Sequence, residues 1–160
     1  MGNRLLSLYE RSSRWPAGTW LFSRAVCLKA PYFAGISPLI TRLEPGRCEG
    51  RIPHRRKVTN HLGTVHAIAL CNLAELTAGL MTDASLPASM RWIPKGMTVQ
   101  YLKKAVGTQQ AVAMPDVPIR ESDEGYELPV TVDISNPSGE KVFVAHITMW
   151  VSPRPPARSG

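Results

Sequence analysis

Apolar positions alternate with polar ones most cleanly towards the end of the chain. Tyr126, Leu128, Val130, Val132 and Ile134 fall on one side of a two-residue period. Phe143, Ala145, Ile147, Met149 and Val151 repeat the pattern after the turn Asn136-Pro137-Ser138-Gly139. A period of two sends one set of side chains to a buried sheet face. Two half-buried strands joined by a turn are therefore expected. Residues 91–104 read as a long strand with Met97, Val99 and Tyr101 on one face, and 106–114 as another. Earlier in the chain, 36–43 and 46–53 are short strand candidates on either side of Glu44-Pro45-Gly46. Residues 54–63 and 82–89 read as loops.

Between those loops the period changes. Thr64 to Met81 contains no proline and one late glycine, and it is apolar nearly all round: Val65, Ala67, Ile68, Ala69, Leu70, Cys71, Leu73, Ala74, Leu76 and Leu80. A helix of that kind is buried on most sides. The four strands after it have short connections, which makes them largely antiparallel, since parallel neighbours need a crossover. A curved antiparallel sheet wrapped around one long helix satisfies both requirements, an α+β architecture. Residues 3–13 and 17–29 are expected as amphipathic helices joined at Trp15-Pro16. This divides the chain into an N-terminal helical extension (1–34), a main domain (35–151) and a flexible tail (152–160).

Composition narrows the function. The chain has 160 residues and a formal net charge of +7, which excludes an acidic disordered segment or a collagen-like repeat. No apolar run approaches the ~18 residues of a membrane span. Cys27, Cys48 and Cys71 are scattered, which argues against a disulfide framework and fits a reducing, cytoplasmic setting. The positive charge sits in the first third: residues 1–60 hold eleven basic and three acidic groups, with a cluster at Arg55-Arg56-Lys57. Such a patch attracts a polyanion or a phosphate-bearing ligand. No helix-turn-helix, aromatic RNA-binding motif or zinc-finger spacing accompanies it, so nucleic acid is not the expected partner. His54, His61, His66 and His146 have no metal-ligand spacing, so no metal and no cofactor are expected.

Chemistry is expected where the apolar helix carries polar residues: His66, Asn72, Glu75 and Thr77. An unpaired carboxylate in an apolar setting loses several kcal/mol of solvation, which singles out Glu75. The first N–H groups of the helix, around His66 and Ala67, lie at the positive end of its dipole and can hold a carbonyl oxygen. Thr64 is the expected N-cap. His66 and Glu75 are nine residues apart, on opposite faces of a helix and ~13 Å apart along it. They cannot serve one small centre within a single chain. If both act, the site joins Glu75 of one protomer to the helix start of another.

The run Asn60-His61-Leu62-Gly63-Thr64-Val65-His66-Ala67, with Glu75 nine places beyond His66, resembles the N-x-x-G-x-x-H-G…D/E signature of hotdog-fold acyl-CoA thioesterases. It is most similar to the phenylacetate-pathway-type branch or to a sparsely characterised bacterial family near it. Met97-Thr98-Val99-Gln100-Tyr101-Leu102-Lys103-Lys104-Ala105 resembles the strand that follows the helix in those enzymes. The resemblance implies a sheet around a central helix, a homodimer or dimer of dimers, and hydrolysis of an acyl-CoA thioester. It implies Glu75 as catalytic carboxylate, the Ala67 N–H as the donor to the thioester carbonyl, His66 as part of that oxyanion end and Asn60 as an orienting residue. Gly63 and Thr64 would line the substrate site. Arg55, Arg56, Lys103 and Lys104 are candidates for the coenzyme A phosphates, on charge and location. The chain departs from the pattern where Ala67 replaces glycine and where Pro94 falls at a water-holding hydroxyl. Those departures keep open a non-hydrolytic hotdog module that binds acyl-CoA or acyl carrier protein.

Overall fold

The computed structural model describes residues 3–155. Helices α1 (Arg4–Ser12) and α2 (Gly18–Lys29) lead into strands β1 (Leu39–Glu44) and β2 (Arg47–Ile52). The long helix α3 (Ala67–Ser85) follows, then β3 (Met90–Tyr101), β4 (Gln109–Pro115), β5 (Tyr126–Ser135) and β6 (Lys141–Pro153). The six strands form one sheet in the order β1-β2-β4-β5-β6-β3, antiparallel at every pairing.

The antiparallel sheet is the expected one, but sequential neighbours are not always spatial neighbours. β3 pairs with β6 at the far edge, while β4 lies between β2 and β5. Residues 102–108 therefore cross the end of the sheet past β6 and β5. Three strand spacings are about 15 Å, and seven extended residues reach about 23 Å, so the link is long enough. A short connection limits reach without fixing adjacency.

The two strands with the clearest alternation bury their apolar faces completely: Leu128, Val130, Val132 and Ile134 of β5, and Phe143, Ala145 and Met149 of β6. α3 lies across this face with Leu73, Ala74, Ala78 and Met81 fully covered. Gly50 of β2 permits a close approach, because a Cβ there would come within 2.9 Å of the Thr77 methyl. The hydroxyls of Thr77 and Thr82 donate to carbonyls one turn back, Leu73 at 2.9 Å and Ala78 at 2.8 Å, so their burial leaves no unmet donor.

Helix α3 is displaced from its expected limits at both ends. It continues through Ser85 and stops where Leu86, extended at φ −74° and ψ 141°, precedes Pro87. The proline ring clashes with a helical predecessor, which sets the boundary. At its start Thr64 is not the cap, because its hydroxyl is bonded to Asn60; His66 caps instead.

The leading helices dock on the domain through apolar and polar contacts together. Tyr9 and Phe22 meet edge to face at 5.1 Å inside the common core, and the Tyr9 hydroxyl donates to Thr41 O at 2.9 Å. The buried Ser23 hydroxyl accepts the Ile40 N–H at 2.8 Å and donates to Thr19 O at 2.7 Å. α2 thereby satisfies a backbone donor on the β1 edge. Ser23→Ala is expected to destabilise the protein by about 1–3 kcal/mol, the cost of a buried donor left unpaired; urea unfolding of the variant measures it.

Cys48 is fully buried, and burial pushes its thiol well above the ordinary value, so it stays protonated and shielded. β6 runs on to Pro153, and Arg154 then donates to Ser89 O and Met90 O at 2.7 and 2.8 Å. The first residues of the expected flexible tail are thus ordered into the sheet, and residues 156–160 lie outside the described residues. No helix among the described residues is long and apolar enough to cross a membrane.

Candidate active site

The loop before α3 is organised by Asn60. Its Oδ1 accepts from the N–H groups of Leu62 and Thr64 at 3.0 and 3.2 Å, while its Nδ2 donates to Thr64 Oγ1 at 2.9 Å. This Asx-type arrangement turns the chain, and Gly63 supplies the positive φ of 75° that the turn needs. The His66 N–H donates to Val58 O at 2.7 Å, and the Val65 N–H to Ala105 O at 2.8 Å. The crossing segment 102–108 therefore braces the start of the helix.

His66 is exposed and in extended conformation, and its Nδ1 accepts the Ile68 N–H at 3.0 Å. An accepting Nδ1 leaves the proton of a neutral ring on Nε2, so the other ring nitrogen is a donor. The N–H groups of Ala69 and Leu70 are bonded to His66 O at 2.9 and 3.2 Å. The Ala67 N–H, first in the helix, has no hydrogen-bond partner among the described residues. Asn60, Gly63, Thr64, His66 and Ala67 thus come together around one helix N-terminus.

Glu75 stands apart from them. Instead of being enclosed in apolar surroundings, it is exposed and makes no hydrogen bond or ion pair among the described residues. It shares an open stripe of α3 with Ile68, which is 52% exposed, and with the half-buried Cys71 and Asn72. Beyond Glu75 the helix is enclosed on all sides as far as Thr82. Facing the stripe, the Tyr101 hydroxyl of β3 meets Cys71 Sγ at 3.6 Å, and this hydrogen bond is the main reason the Tyr101 pKa is raised. β3 itself is an edge strand whose residues 93–98 are all exposed. Pro94 lies there, beside a break in the register between Pro94 and Gly96. A proline on an edge strand at a bulge costs no ladder bond.

The four basic candidates separate. Arg55 reaches back to Gly35 O and Ser37 Oγ, beside Trp20 and Arg24 of α2 and the end of β2. Arg56 is exposed on a short turn at Arg56–Val58. Lys103 and Lys104 lie on the crossing segment, where the Lys103 ammonium pairs with Glu140 and holds that carboxylate below its ordinary pKa. One organising residue escaped the sequence reading. His54 Nδ1 accepts the Gly107 N–H at 2.9 Å while Nε2 donates to Gly63 O at 3.0 Å, clamping the two loops that frame the helix start. Its partners are 53 and 9 residues away, so no local pattern marks it.

Residues 18–151 match a family model described as "Domain of unknown function (DUF4442)". The chain belongs to the DUF4442 family. A structural-genomics protein whose name states no function is 46% identical over 94% of this chain and 99% of its own, with a TM-score of 0.79. A Pseudomonas aeruginosa protein named as of unknown function and "probable thioesterase" is 24% identical over 88% of this chain and 97% of its own, TM-score 0.76. A thioesterase family protein from Silicibacter pomeroyi is 18% identical over 82% and 96%, TM-score 0.70. No curated protein matches the chain. The last two likenesses establish the fold: this DUF4442 chain has the hotdog architecture of thioesterase-family proteins. The family match begins at residue 18, so it takes in α2 as well as the sheet and central helix.

Proposed function

We propose that the protein hydrolyses an acyl-CoA thioester at the N-terminus of α3, with Glu75 of a second copy as the carboxylate. The observation that carries this reading is the unpartnered Ala67 N–H, beside the His66 ring whose Nδ1 is already committed. Attack on a thioester builds negative charge on the carbonyl oxygen. A pre-aimed N–H at the positive end of a helix stabilises that charge without reorganising, and one such donor is worth about 3 kcal/mol. The Nε2–H of His66 is a second donor beside it. Asn60, Gly63 and Thr64 act on this view as positioning residues that hold the helix start in shape. Glu75 takes a proton from the attacking water, the carbon–sulfur bond breaks and the thiolate leaves with that proton. If Glu75 instead attacks the carbonyl itself, the thiolate leaves first, and a water then hydrolyses the acyl–Glu75 anhydride to the free acid, restoring the carboxylate and supplying the thiol proton.

Within one chain Glu75 and Ala67 are about 12 Å apart along the helix axis, so the reading requires a dimer. The exposed stripe of α3 and the β3 edge are the surface for it. Ile93, Met97 and Tyr101 of β3 are 58%, 38% and 53% exposed, and an unpaired edge of this length is a template for another strand. Ile68→Glu tests the interface. An exposed side chain at the first turn of a helix tolerates an acid within about 0.5 kcal/mol, so the melting temperature is expected to hold. Sedimentation velocity is expected to move from dimer to monomer; an unchanged dimer would put the interface elsewhere.

The test of the reaction is free-thiol release from short, medium, long and aromatic acyl-CoAs. Release from at least one class is expected. Binding of intact acyl-CoA with no release from any of them would favour the non-hydrolytic module, which is the direction in which the Ala67 Cβ and Pro94 point.

A further inference from the structure

Between α2, the segment before β1 and the end of β2 lies a cleft of about 530 Å³. Three guanidinium groups line it, those of Arg24, Arg51 and Arg55, together with the indole of Trp20 and the hydroxyl-bearing Ser37 and Thr108. No carboxylate does. The chain has no acidic residue from Arg11 to Leu43, nor between Glu49 and Glu75, and none of the three arginines makes an ion pair among the described residues. Arg24 and Arg55 are held by backbone carbonyls, through Pro38 O at 2.7 Å and Gly35 O at 3.3 Å. The Nε of each is nevertheless buried with no partner. Five cations elsewhere, Arg42, Arg47, Lys95, Lys103 and Lys141, pair with acids; what sets the three arginines of the cleft apart is that they line one concave site together.

Like charges gathered in one cleft with no carboxylate among its lining residues favour an anion from outside. Guanidinium groups suit phosphate, because their fixed fork of donors matches its oxygens. Trp20, 53% exposed, adds a flat aromatic wall on which a base can stack. We propose that this cleft binds the phosphate groups of a nucleotide, with its base against Trp20. Resting on the thioesterase reading, that nucleotide is the adenosine bisphosphate end of coenzyme A. Arg55 lies on the same segment, Pro53 to His66, that builds the start of α3. The inference gives Arg55 a defined role and leaves Arg56 and Lys103 outside the phosphate site. It also gives α2 a function beyond covering the β1 edge.

The test uses adenosine 3′,5′-bisphosphate, which carries the phosphates and base but no thioester. Calorimetric titration of the full-length protein is expected to show binding that inorganic pyrophosphate competes away. Arg51→Gln, at an exposed residue whose side chain makes no hydrogen bond among the described residues, is expected to weaken it roughly tenfold, the size of one lost charge-assisted contact. Arg24→Gln is expected to do the same, with thermal melting confirming that the variant folds. The preference for an acyl-CoA over the same acyl group on N-acetylcysteamine is expected to fall by a similar factor, through KM. Failure of the bisphosphate to bind, binding indifferent to both substitutions, or arginine-dependent binding of phosphatidylglycerol vesicles in place of the nucleotide would each overturn the proposal. Arginine-dependent nucleotide binding by a protein that releases no thiol would sustain the cleft and refute the hydrolase.

Discussion

Glu75→Gln is expected to lower the rate of thiol release by at least about a hundredfold, at the low end of what a positioned general base contributes. The substitution keeps size and polarity and removes only the charge and the basic oxygen. Because Glu75 is exposed and has no partner among the described residues, its folding cost is expected to stay within about 0.5 kcal/mol. Circular dichroism and urea unfolding should therefore be unchanged while activity collapses, and the affinity for intact acyl-CoA should change little. Steady-state kinetics separate these effects: kcat falls and KM holds. A variant that retains activity within about threefold would remove the carboxylate from the chemistry, since no base mechanism tolerates so small a loss.

The largest expected loss of stability comes from Phe143→Ala, at about 3–5 kcal/mol. Phe143 is fully buried on β6, opposite Ile134 of β5 on one side and Tyr101 of β3 on the other. Its ring lies 5.5 Å from that of Tyr101. Truncation removes the apolar transfer energy and leaves a cavity where three strands meet, with helix and sheet too closely packed to collapse into it. Domains of this size have total stabilities of about 5–15 kcal/mol, so the urea midpoint should fall by about a fifth or more. Phe143→Leu should recover most of the loss. A cost below about 1 kcal/mol would mean that this corner of the core is loosely packed, and that β3 is held mainly by its hydrogen bonds to β6.

Part of this was legible in the chain because the determinants are local. β5 and β6 could be read from their alternation, since each has one covered face and one face towards solvent. The long helix could be read from an apolar run with no breaker. Non-local choices were not legible. β3 and β4 are sequential and connected by seven residues, yet the sheet separates them, because β6 offers β3 a longer partner than β4 does. Thr64 has the chemistry of an N-cap, but Asn60 takes its hydroxyl, and His66 caps in its place.

The candidate site divides along the same line. The loop Asn60 to Ala67 is one contiguous segment, and its residues do gather at the helix start. An all-round apolar helix suggests a buried Glu75, whereas the sheet leaves Ile68, Cys71, Asn72 and Glu75 uncovered; sequence periodicity does not reveal which side a sheet leaves open. In the sequence His54 is a histidine without metal-ligand spacing, until Gly63 and Gly107 come to it from two loops. Arg24 and Arg51 are likewise unremarkable until the fold brings them beside Arg55.

A site built from two chains can be tested by subunit complementation. Ala67→Pro removes the proposed oxyanion donor at little structural cost. Proline is favoured at the first position of a helix, and His66 before it already has the extended backbone, φ −63° and ψ 138°, that proline requires. Ala67→Pro and Glu75→Gln homodimers should each be nearly inactive. When the two are unfolded together and refolded as an equal mixture, half of the dimers are mixed, and each mixed dimer rebuilds one complete site from Ala67 of one chain and Glu75 of the other. Thiol release is then predicted to return to about a quarter of the wild-type rate. A mixture that stays as inactive as its components, with mixed dimers demonstrated by mass spectrometry, would contradict a site shared across the interface.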